Sequence, residues 1–258
     1  MSQLKSTSQG RTMVLTLSNP EHRNAMGPEV YVAGVEALNA ADSNPDLRSV
    51  VITGEGPWFS AGGNLQRLLA NRQRPPEVQA QSIEAMHSWI EAIRTFPKPV
   101  IAAVEGAAAG AGFSLALACD LIVAAEDAVF TMAYASVGLS PDGGATWSLA
   151  RAVPRQLATE LLMAGERITA RRLHELGVVN RVVPRGGALA AALEVAGKLN
   201  ERAPNVLASI KELINEAPAA SLERQLASER DRFVRNLHHP NGGIGINAFL
   251  AKQPPRYE

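Results

Sequence analysis

The sequence has very little cysteine and no excess of charge of either sign. Cys119 is the only cysteine among 258 residues, which excludes an intramolecular disulfide and a cysteine-rich metal site and suits a reducing compartment. The five histidines show no metal-ligand spacing, so no metal is predicted. Lysine plus arginine and aspartate plus glutamate both number 25. Because the net charge is zero and no long basic run is present, nucleic acid is not an expected partner.

Long hydrophobic runs are also missing. No stretch of about 18 uncharged apolar residues is present, and residues 1–10 lack the apolar core of a signal peptide. We therefore expect a cytoplasmic protein without a membrane partner. A hydrophobic fraction of 46% beside 19% charged residues is typical of a folded globular chain and not of a disordered one.

Strand-like and helix-like segments alternate through the first half of the chain. Residues 12–18 form a β-favouring run that stops at Asn19-Pro20, and Pro28 begins a segment with apolar residues at helical spacing. Apolar strands separated by helices predict an α/β fold whose parallel strands are buried on both faces. The further predicted strands are 49–53, 99–104 and 120–124, and the further predicted helices are 82–95, 156–163, 170–176, 187–200, 206–217 and 222–237.

Two glycine-rich turns follow two of the predicted strands and lead into helices. Residues 59–65 form the first turn and residues 106–112 the second. Small residues let a ligand approach the backbone, and the first N–H groups of a helix favour negative charge. Two such turns that face one point would form an oxyanion hole. Either turn alone also fits a plain tight turn after a strand.

The second turn also admits a different class of function. Gly106, Gly110 and Gly112 follow a strand in a pattern close to that of short-chain nicotinamide dehydrogenases, and Glu126 lies near the place of a ribose-binding acid. Such enzymes also carry a Tyr-x-x-x-Lys pair, but none of the three tyrosines has a lysine four residues later. The motif also lies mid-chain and not after the first strand. We therefore disfavour the dehydrogenase hypothesis.

In combination, the motifs resemble the crotonase superfamily, also called the enoyl-CoA hydratase/isomerase family. The resemblance extends over nearly the whole chain and rests on Asn19-Pro20 with residues 23–26, on 59–65, 98–104, 106–112, Cys119-Asp120, 138–144 and 177–180. It implies a crotonase (ClpP-like) α/β spiral of β-β-α units at residues 1–200. It further implies a helical C-terminal trimerisation region at residues 201–258, in a homotrimer or a dimer of trimers.

The resemblance implies an acyl-CoA thioester as the substrate, with coenzyme A as part of that substrate and no separate cofactor. The N–H groups of Gly63 and Ala111 would polarise the thioester carbonyl. The other implied substrate contacts are Arg23 and Ala25 along the CoA chain, Ala61 at the adenine, Asn64 and Leu65 in the first turn, and Phe249 and Lys252 of a neighbouring subunit at the nucleotide. Ser114 and Tyr134 either line the acyl pocket, where they would orient water or a substrate oxygen, or serve packing alone.

The sequence departs from the family pattern at the catalytic residues. Family hydratases use two glutamates, and the matching positions hold Ser114 and Tyr134, which are not carboxylates. Asp142 is a carboxylate that resembles the catalytic aspartate of ring-epoxyphenylacetyl-CoA isomerases, although it also fits a helix cap near Gly143. We expect isomerisation of an unsaturated or ring-modified acyl-CoA with Asp142 as the acid/base. Hydration, hydrolytic ring opening and non-catalytic binding of a CoA ester are the alternatives.

Overall fold

The strands form two sheets in residues 2–257, the part of the chain that the computed structural model describes. The larger sheet contains β1 (Gln3–Gln9), β2 (Thr12–Ser18), β3 (Ser49–Gly54), β4 (Val100–Val104), β6 (Leu121–Ala125) and β9 (Arg181–Val183), in the order β1-β2-β3-β4-β6-β9. The smaller sheet contains β5 (Ala107–Ala109), β7 (Val129–Thr131) and β8 (Arg167–Thr169). In the larger sheet β1 and β2 pair antiparallel, and the following pairs are parallel.

Helices follow most of the strands and dominate the C-terminal part. They are α1 (Pro28–Ser43), α2 (Leu65–Asn71), α3 (Pro76–Thr95), α4 (Ala111–Ala118), α5 (Ala145–Ala152), α6 (Arg155–Ala164), α7 (Ala170–Glu175), α8 (Ala188–Asn200), α9 (Pro204–Glu216), α10 (Leu222–His238) and α11 (Pro240–Leu250). Within residues 2–257, no helix combines the length and the apolar character needed to span a membrane.

The central strands of the larger sheet, β2, β3, β4 and β6, are buried on both faces because they are apolar at successive positions. In β3, Ile52 belongs to the core on the side of α1 and α3, while Val51 belongs to the core on the opposite side. On that opposite side α8 packs through a row of small residues spaced by four, namely Ala188, Ala192 and Ala196. The small side chains let the helix approach the sheet closely. This two-sided burial is what the apolar strands predict.

Helices α1 and α3 pack through a glycine. A Cβ atom built on Gly34 would overlap the ring of Trp89, which is fully buried. The Trp89 ring therefore occupies the space that any other side chain at position 34 would fill. Since a buried tryptophan removes about 150–250 Å² from water, this contact is a major part of the interface between the two helices.

Helix α9 is fixed to the core by hydrogen bonds to α3 and to the start of β6. Lys211 Nζ donates to Asp120 Oδ2 and to the carbonyl of Ile93, both at 2.8 Å. Asn215 exchanges two further hydrogen bonds with Arg94. Burial lowers the pKa of Lys211, and the carboxylate of Asp120 beside it opposes that shift. The first C-terminal helix is therefore held in place by a charged contact that is largely shielded from water.

Strand β1 was not predicted from the sequence. The residues of β1 are polar and mostly exposed, so no apolar alternation marks them as a strand. The register pairs Gln3 with Ser18 and Gln9 with Thr12, and Gly10 turns the chain with φ of +58°. Pairing with the apolar strand β2, and not burial of its own side chains, makes this segment a strand.

The other predicted strands and helices are confirmed with small shifts. The strands predicted at 12–18, 49–53, 99–104 and 120–124 are β2, β3, β4 and β6. Helix α3 begins at Pro76 and not at residue 82. The region after residue 143 was predicted to be mainly helical, but it also contains β8 and β9, each only three residues long. The division into residues 1–200 and 201–258 stays a prediction.

Two glycine-to-alanine variants test the packing of α1 on α3. We expect Gly34→Ala to lower the free energy of unfolding by about 1–3 kcal/mol, because its methyl group overlaps Trp89. A Cβ atom on Gly197 in α8 would have no other atom within 4 Å, so Gly197→Ala should raise stability by about 0.5–1 kcal/mol. Urea denaturation measures both. Equal stabilisation by the two variants would contradict the proposed contact.

Candidate active site

The first glycine-rich turn is held on both sides by backbone hydrogen bonds. The N–H of Ser60 donates to the Ala107 carbonyl at 3.0 Å, and the N–H of Ala109 donates to the Ser60 carbonyl at 2.9 Å. On the other side, the N–H of Met26 donates to the Gly62 carbonyl at 2.7 Å. The turn is therefore part of the strand network and not a free loop, which fixes the direction of the following N–H group.

The two glycine-rich turns touch each other through their backbones. Gly62 has φ of +89°, and a Cβ atom there would lie 2.5 Å from the Ala109 carbonyl oxygen and 3.0 Å from the Ala111 nitrogen. From the other turn, a Cβ atom on Gly112 would lie 2.6 Å from the Ser60 carbonyl oxygen. Both approaches require glycine. The contact brings the residue after Gly62 and the first residue of α4 to the same place.

Gly63 and Ala111 line one cavity of about 540 Å³. Within residues 2–257, neither of their N–H groups donates to an acceptor in the protein. Ala111 is the first residue of α4, where the N–H has no partner inside the helix. Gly110, with φ of +49°, precedes it as the N-cap. Two unpaired N–H groups, one of them at a helix N-terminus, favour an oxygen atom with negative charge.

The wall of the cavity is mainly apolar and comes from several parts of the chain. Met86 and Ile83 of α3 are among its apolar residues, and Asp142 is the only aspartate or glutamate among its lining residues in the described part of the chain. The lining residues are Met26, Gly27, Tyr31, Ala61, Gly63, Asn64, Leu65, Arg67, Leu68, Gln79, Ser82, Ile83, Met86, His87, Gly110, Ala111, Ala133, Tyr134, Val137, Leu139, Ser140, Pro141, Asp142 and Gly144.

Tyr134 holds the carboxylate of Asp142. Its hydroxyl donates to Asp142 Oδ1 at 2.6 Å. Burial raises the pKa of Tyr134 well above that of a free tyrosine, and the nearby charge of Asp142 raises it further. The phenol therefore stays protonated and remains a hydrogen-bond donor at physiological pH. Ser114 Oγ lies 3.4 Å from the Tyr134 hydroxyl, 3.2 Å from the Asp142 carbonyl oxygen and 3.3 Å from the Gly110 carbonyl oxygen, so its single proton has three acceptors within reach.

Asp142 does not cap the helix that follows it. Helix α5 begins at Ala145, its N-cap is Gly144, and no side chain makes the capping hydrogen bond. Gly143 and Gly144 both have positive φ, which turns the chain between Asp142 and the helix. The capping hypothesis is therefore wrong for this structure, and the carboxylate lies at the cavity beside Tyr134.

The predicted substrate contacts fall into two groups. Ala61, Asn64, Leu65 and Tyr134 line the cavity. Asn64 also caps α2, because its side-chain oxygen accepts the N–H of Arg67 at 3.1 Å. These residues are brought together with the two turns.

The remaining predicted contacts do not line the cavity. Ser114 is 1% exposed and lies behind Tyr134. Arg23 stacks over Trp58 with 5.4 Å from its guanidinium carbon to the ring centroid, and Ala25 is buried. Phe249 is 84% exposed on α11, and Lys252 follows that helix. The roles of these five residues toward the substrate stay predictions.

Tyr31, His87 and Arg67 are among the polar lining residues that were not predicted from the sequence. Tyr31 occupies an apolar helical position that is typical of a core residue, and His87 stands alone on α3. Arg67 lies at the rim and pairs with Glu29 at 3.1 Å, with both side chains about half exposed. These side chains reach the cavity through the packing of the helices around it. No sequence motif marks such a position.

Sequence comparison identifies the family of this site. The profile described as enoyl-CoA hydratase/isomerase matches residues 7–258. This chain belongs to the enoyl-CoA hydratase/isomerase family. It is 34% identical to a 2,3-dehydroadipyl-CoA hydratase of Escherichia coli, over 100% of this chain and 99% of the relative. It is 35% identical to a 1,2-epoxyphenylacetyl-CoA isomerase of the same organism, over 95% of this chain and 94% of the relative.

Solved structures confirm the crotonase fold of this family member. A crystal structure described as an enoyl-CoA hydratase from Polaromonas sp. JS666 superposes with a TM-score of 0.98 at 71% identity, covering 99% of this chain and 100% of the other. An enoyl-CoA hydratase structure from Geobacillus kaustophilus HTA426 gives a TM-score of 0.92 at 31% identity, with 99% and 98% coverage. The predicted family and fold class are therefore confirmed. The expected absence of a metal and of a separate cofactor stays a prediction.

The buried tyrosines of this family member predict a pH dependence of stability. Burial raises the pKa of Tyr31, with the charge of Asp142 as the next cause. Above about pH 10 the unfolded chain loses this proton while the folded chain keeps it, so the free energy of unfolding should fall as pH rises. Urea denaturation at about pH 8 and about pH 11 should show a smaller loss for Tyr31→Phe than for the parent. An equal loss in both proteins would contradict the raised pKa.

Proposed function

We propose that this protein isomerises an unsaturated or ring-modified acyl-CoA. The observation that supports this proposal is the single carboxylate in the cavity, Asp142, which is held by Tyr134 in the same cavity as the free N–H groups of Gly63 and Ala111. One carboxylate and one oxyanion site are the parts that moving a proton beside a thioester carbonyl requires.

The two N–H groups would bind the thioester oxygen. When a proton leaves the α-carbon, negative charge moves onto that oxygen, and two fixed donors stabilise the enolate more than the neutral thioester. Both donors are backbone groups whose positions are set by the contact between the turns. No side chain has to reorganise as the charge develops.

Asp142 would move the proton. Its carboxylate takes the proton from the α-carbon of a 3-enoyl thioester, which leaves a protonated Asp142 and a dienolate. The same proton then returns to the γ-carbon, the double bond moves into conjugation, and Asp142 is again a carboxylate. The reaction neither consumes nor releases a water molecule. One carboxylate is sufficient because it acts first as base and then as acid.

Tyr134 and Ser114 would position Asp142. The Tyr134 hydroxyl occupies Oδ1 with a 2.6 Å hydrogen bond, which leaves Oδ2 free for the proton transfer. Burial keeps this phenol neutral, so it does not compete as a base. Ser114 would add one hydrogen bond, either to the Tyr134 hydroxyl or to the Asp142 carbonyl.

Hydration of an enoyl-CoA is the second candidate, and the names of several relatives favour it. Both a relative at 34% identity and a solved structure at 71% identity carry hydratase names. Hydration requires that a water molecule be held and deprotonated while a proton is delivered to carbon, and here Asp142 would have to do both. Hydrolytic opening of a strained ring would use the same water and the same base. Non-catalytic binding of a CoA ester is the remaining alternative.

We also propose that the chain acts as a homotrimer or a dimer of trimers. The C-terminal helices expose large apolar side chains, among them Phe233, Phe249 and Leu250. Exposed apolar patches are typical of surfaces that contact another protein. In the assembly, Phe249 and Lys252 of one subunit would approach the CoA nucleotide bound to its neighbour.

Asp142→Asn tests the proton transfer. The amide keeps the shape and the hydrogen bond from Tyr134 but does not act as a base, so turnover should fall by at least about 10²-fold while acyl-CoA binding remains. Mass spectrometry measures the products formed from a 3-enoyl-CoA and from crotonyl-CoA, and calorimetry measures acyl-CoA binding. Asp127→Asn is the control, because Asp127 is exposed and, among the described residues, its side chain pairs only with Arg185 at 3.6 Å.

The product mass separates the candidate reactions. A mass-neutral rearrangement that the parent performs and Asp142→Asn loses supports isomerisation. A mass gain of one water on crotonyl-CoA, without rearrangement of the 3-enoyl ester, would replace the proposal with hydration. Binding without turnover of any acyl-CoA would favour the non-catalytic alternative.

Ala111→Pro tests the oxyanion site. Proline suits the first position of a helix, so α4 should still form, but the variant lacks the N–H group that faces the cavity. We expect kcat to fall by about 10²-fold or more. Ala111→Gly keeps the N–H and should retain most of the activity. A proline variant that is as active as the glycine variant would show that this N–H does not bind the reacting oxygen.

A further inference from the structure

Tyr31 places an unused hydroxyl group in the cavity. It lies on α1, is 5% exposed, and contributes to the cavity wall. Its ring packs at 6.4 Å between centroids from Trp89, which fixes the side chain. Within the described residues its hydroxyl makes no hydrogen bond to protein, and it is not among the fully enclosed polar atoms that lack a partner. The O–H group therefore opens into the cavity.

Several polar side chains at or beside the cavity are already engaged. Tyr134 donates to Asp142, the Asn64 side chain caps α2, and the side chain of Asn71 donates to Gln79 at 2.8 Å. A buried hydroxyl without a partner costs free energy compared with a phenyl ring of the same shape. Tyr31 is thus a preplaced donor whose partner is not supplied by the residues around it.

The charges around Tyr31 restrict the partner that it can take. Asp142 is the charge that acts most strongly on Tyr31, followed by Arg67 and Glu29. Arg67 is already paired with Glu29, so a second anion beside Asp142 would have to compete with Glu29 for this cation. Because burial keeps the phenol of Tyr31 protonated by raising its pKa, it acts as a donor. The matching partner is therefore a neutral oxygen atom.

We propose that Tyr31 donates a hydrogen bond to a neutral oxygen carried by the acyl group, beside the part that reacts at Asp142. This inference rests on the proposed function and adds a substrate class to it. The preferred substrates are acyl-CoA thioesters whose acyl group bears a hydroxyl, carbonyl or ring oxygen. Hydrocarbon acyl groups leave the Tyr31 hydroxyl without a partner. Acyl groups that carry a carboxylate would place a second negative charge beside Asp142.

A set of 3-enoyl-CoA esters of equal chain length tests the preference. One ester carries only hydrocarbon, others carry one hydroxyl placed at each carbon beyond the double bond in turn, and the last ends in a carboxylate. The parent protein, Tyr31→Phe, Tyr134→Phe and Asp142→Asn are compared by kcat/KM on each ester. Melting temperatures establish that each variant is folded.

We expect the parent to prefer one hydroxylated ester by about tenfold or more over the hydrocarbon and the carboxylate esters. Tyr31→Phe should remove that preference by losing about tenfold more kcat/KM on the hydroxylated ester than on the hydrocarbon ester. Tyr134→Phe, which loses the donor to Asp142, should slow all esters alike and keep the preference.

Other outcomes overturn the inference. No preference by the parent for any hydroxylated ester, or an equal loss on all esters in Tyr31→Phe, would show that Tyr31 does not bind a substrate oxygen. If Tyr31→Phe loses the same kcat/KM on all esters and the parent protein adds water to them, Tyr31 binds a water molecule instead. These results leave the proposed function intact as long as Asp142→Asn loses turnover, whereas an active Asp142→Asn variant would remove the proposed function itself.

Discussion

The backbone contact between the two glycine-rich turns is the constraint on which the site depends. Gly62 and Gly112 have no room for a side chain, because each faces a backbone atom of the other turn. The contact is continued by hydrogen bonds of Ser60 with Ala107 and Ala109. It sets where β5 ends, where α4 begins, and where the free N–H groups lie. The two N–H groups that we propose as donors are thus positioned by the same backbone hydrogen bonds that join the turns to each other.

The chemistry offered by the rest of the cavity follows from having one carboxylate in a mainly apolar wall. Asp142 reaches the cavity because Gly143 and Gly144 turn the chain away from a capping geometry. Tyr134 then occupies one carboxylate oxygen and, being buried, stays protonated. A single oriented base next to an oxyanion site is suited to returning the proton that it removes. Family members with two glutamates have a second acid/base group, and Ser114 does not replace it.

Much of the fold and part of the site could be predicted from sequence. The central strands are continuous apolar runs, and the glycine-rich turns lie where a backbone approach requires them, so both are visible without coordinates. Strand β1 was not visible, because its polar residues are ordered by β2 and not by their own burial. Tyr31 was missed for the opposite reason. Its helical spacing is that of a core residue, and only the packing around Trp89 shows that its hydroxyl leaves the core.

The parts proposed for chemistry and for CoA binding depend on different regions of the chain. Gly63, Ala111 and Asp142 are fixed by the core, and Lys211 fixes α9 to that same core. Phe249 lies instead on an exposed helix whose apolar side chains have no cover within the described residues of one chain. The reacting groups are therefore in place in a single chain. The proposed contacts to the nucleotide require a neighbouring subunit, so association would act on substrate affinity and not on the proton transfer.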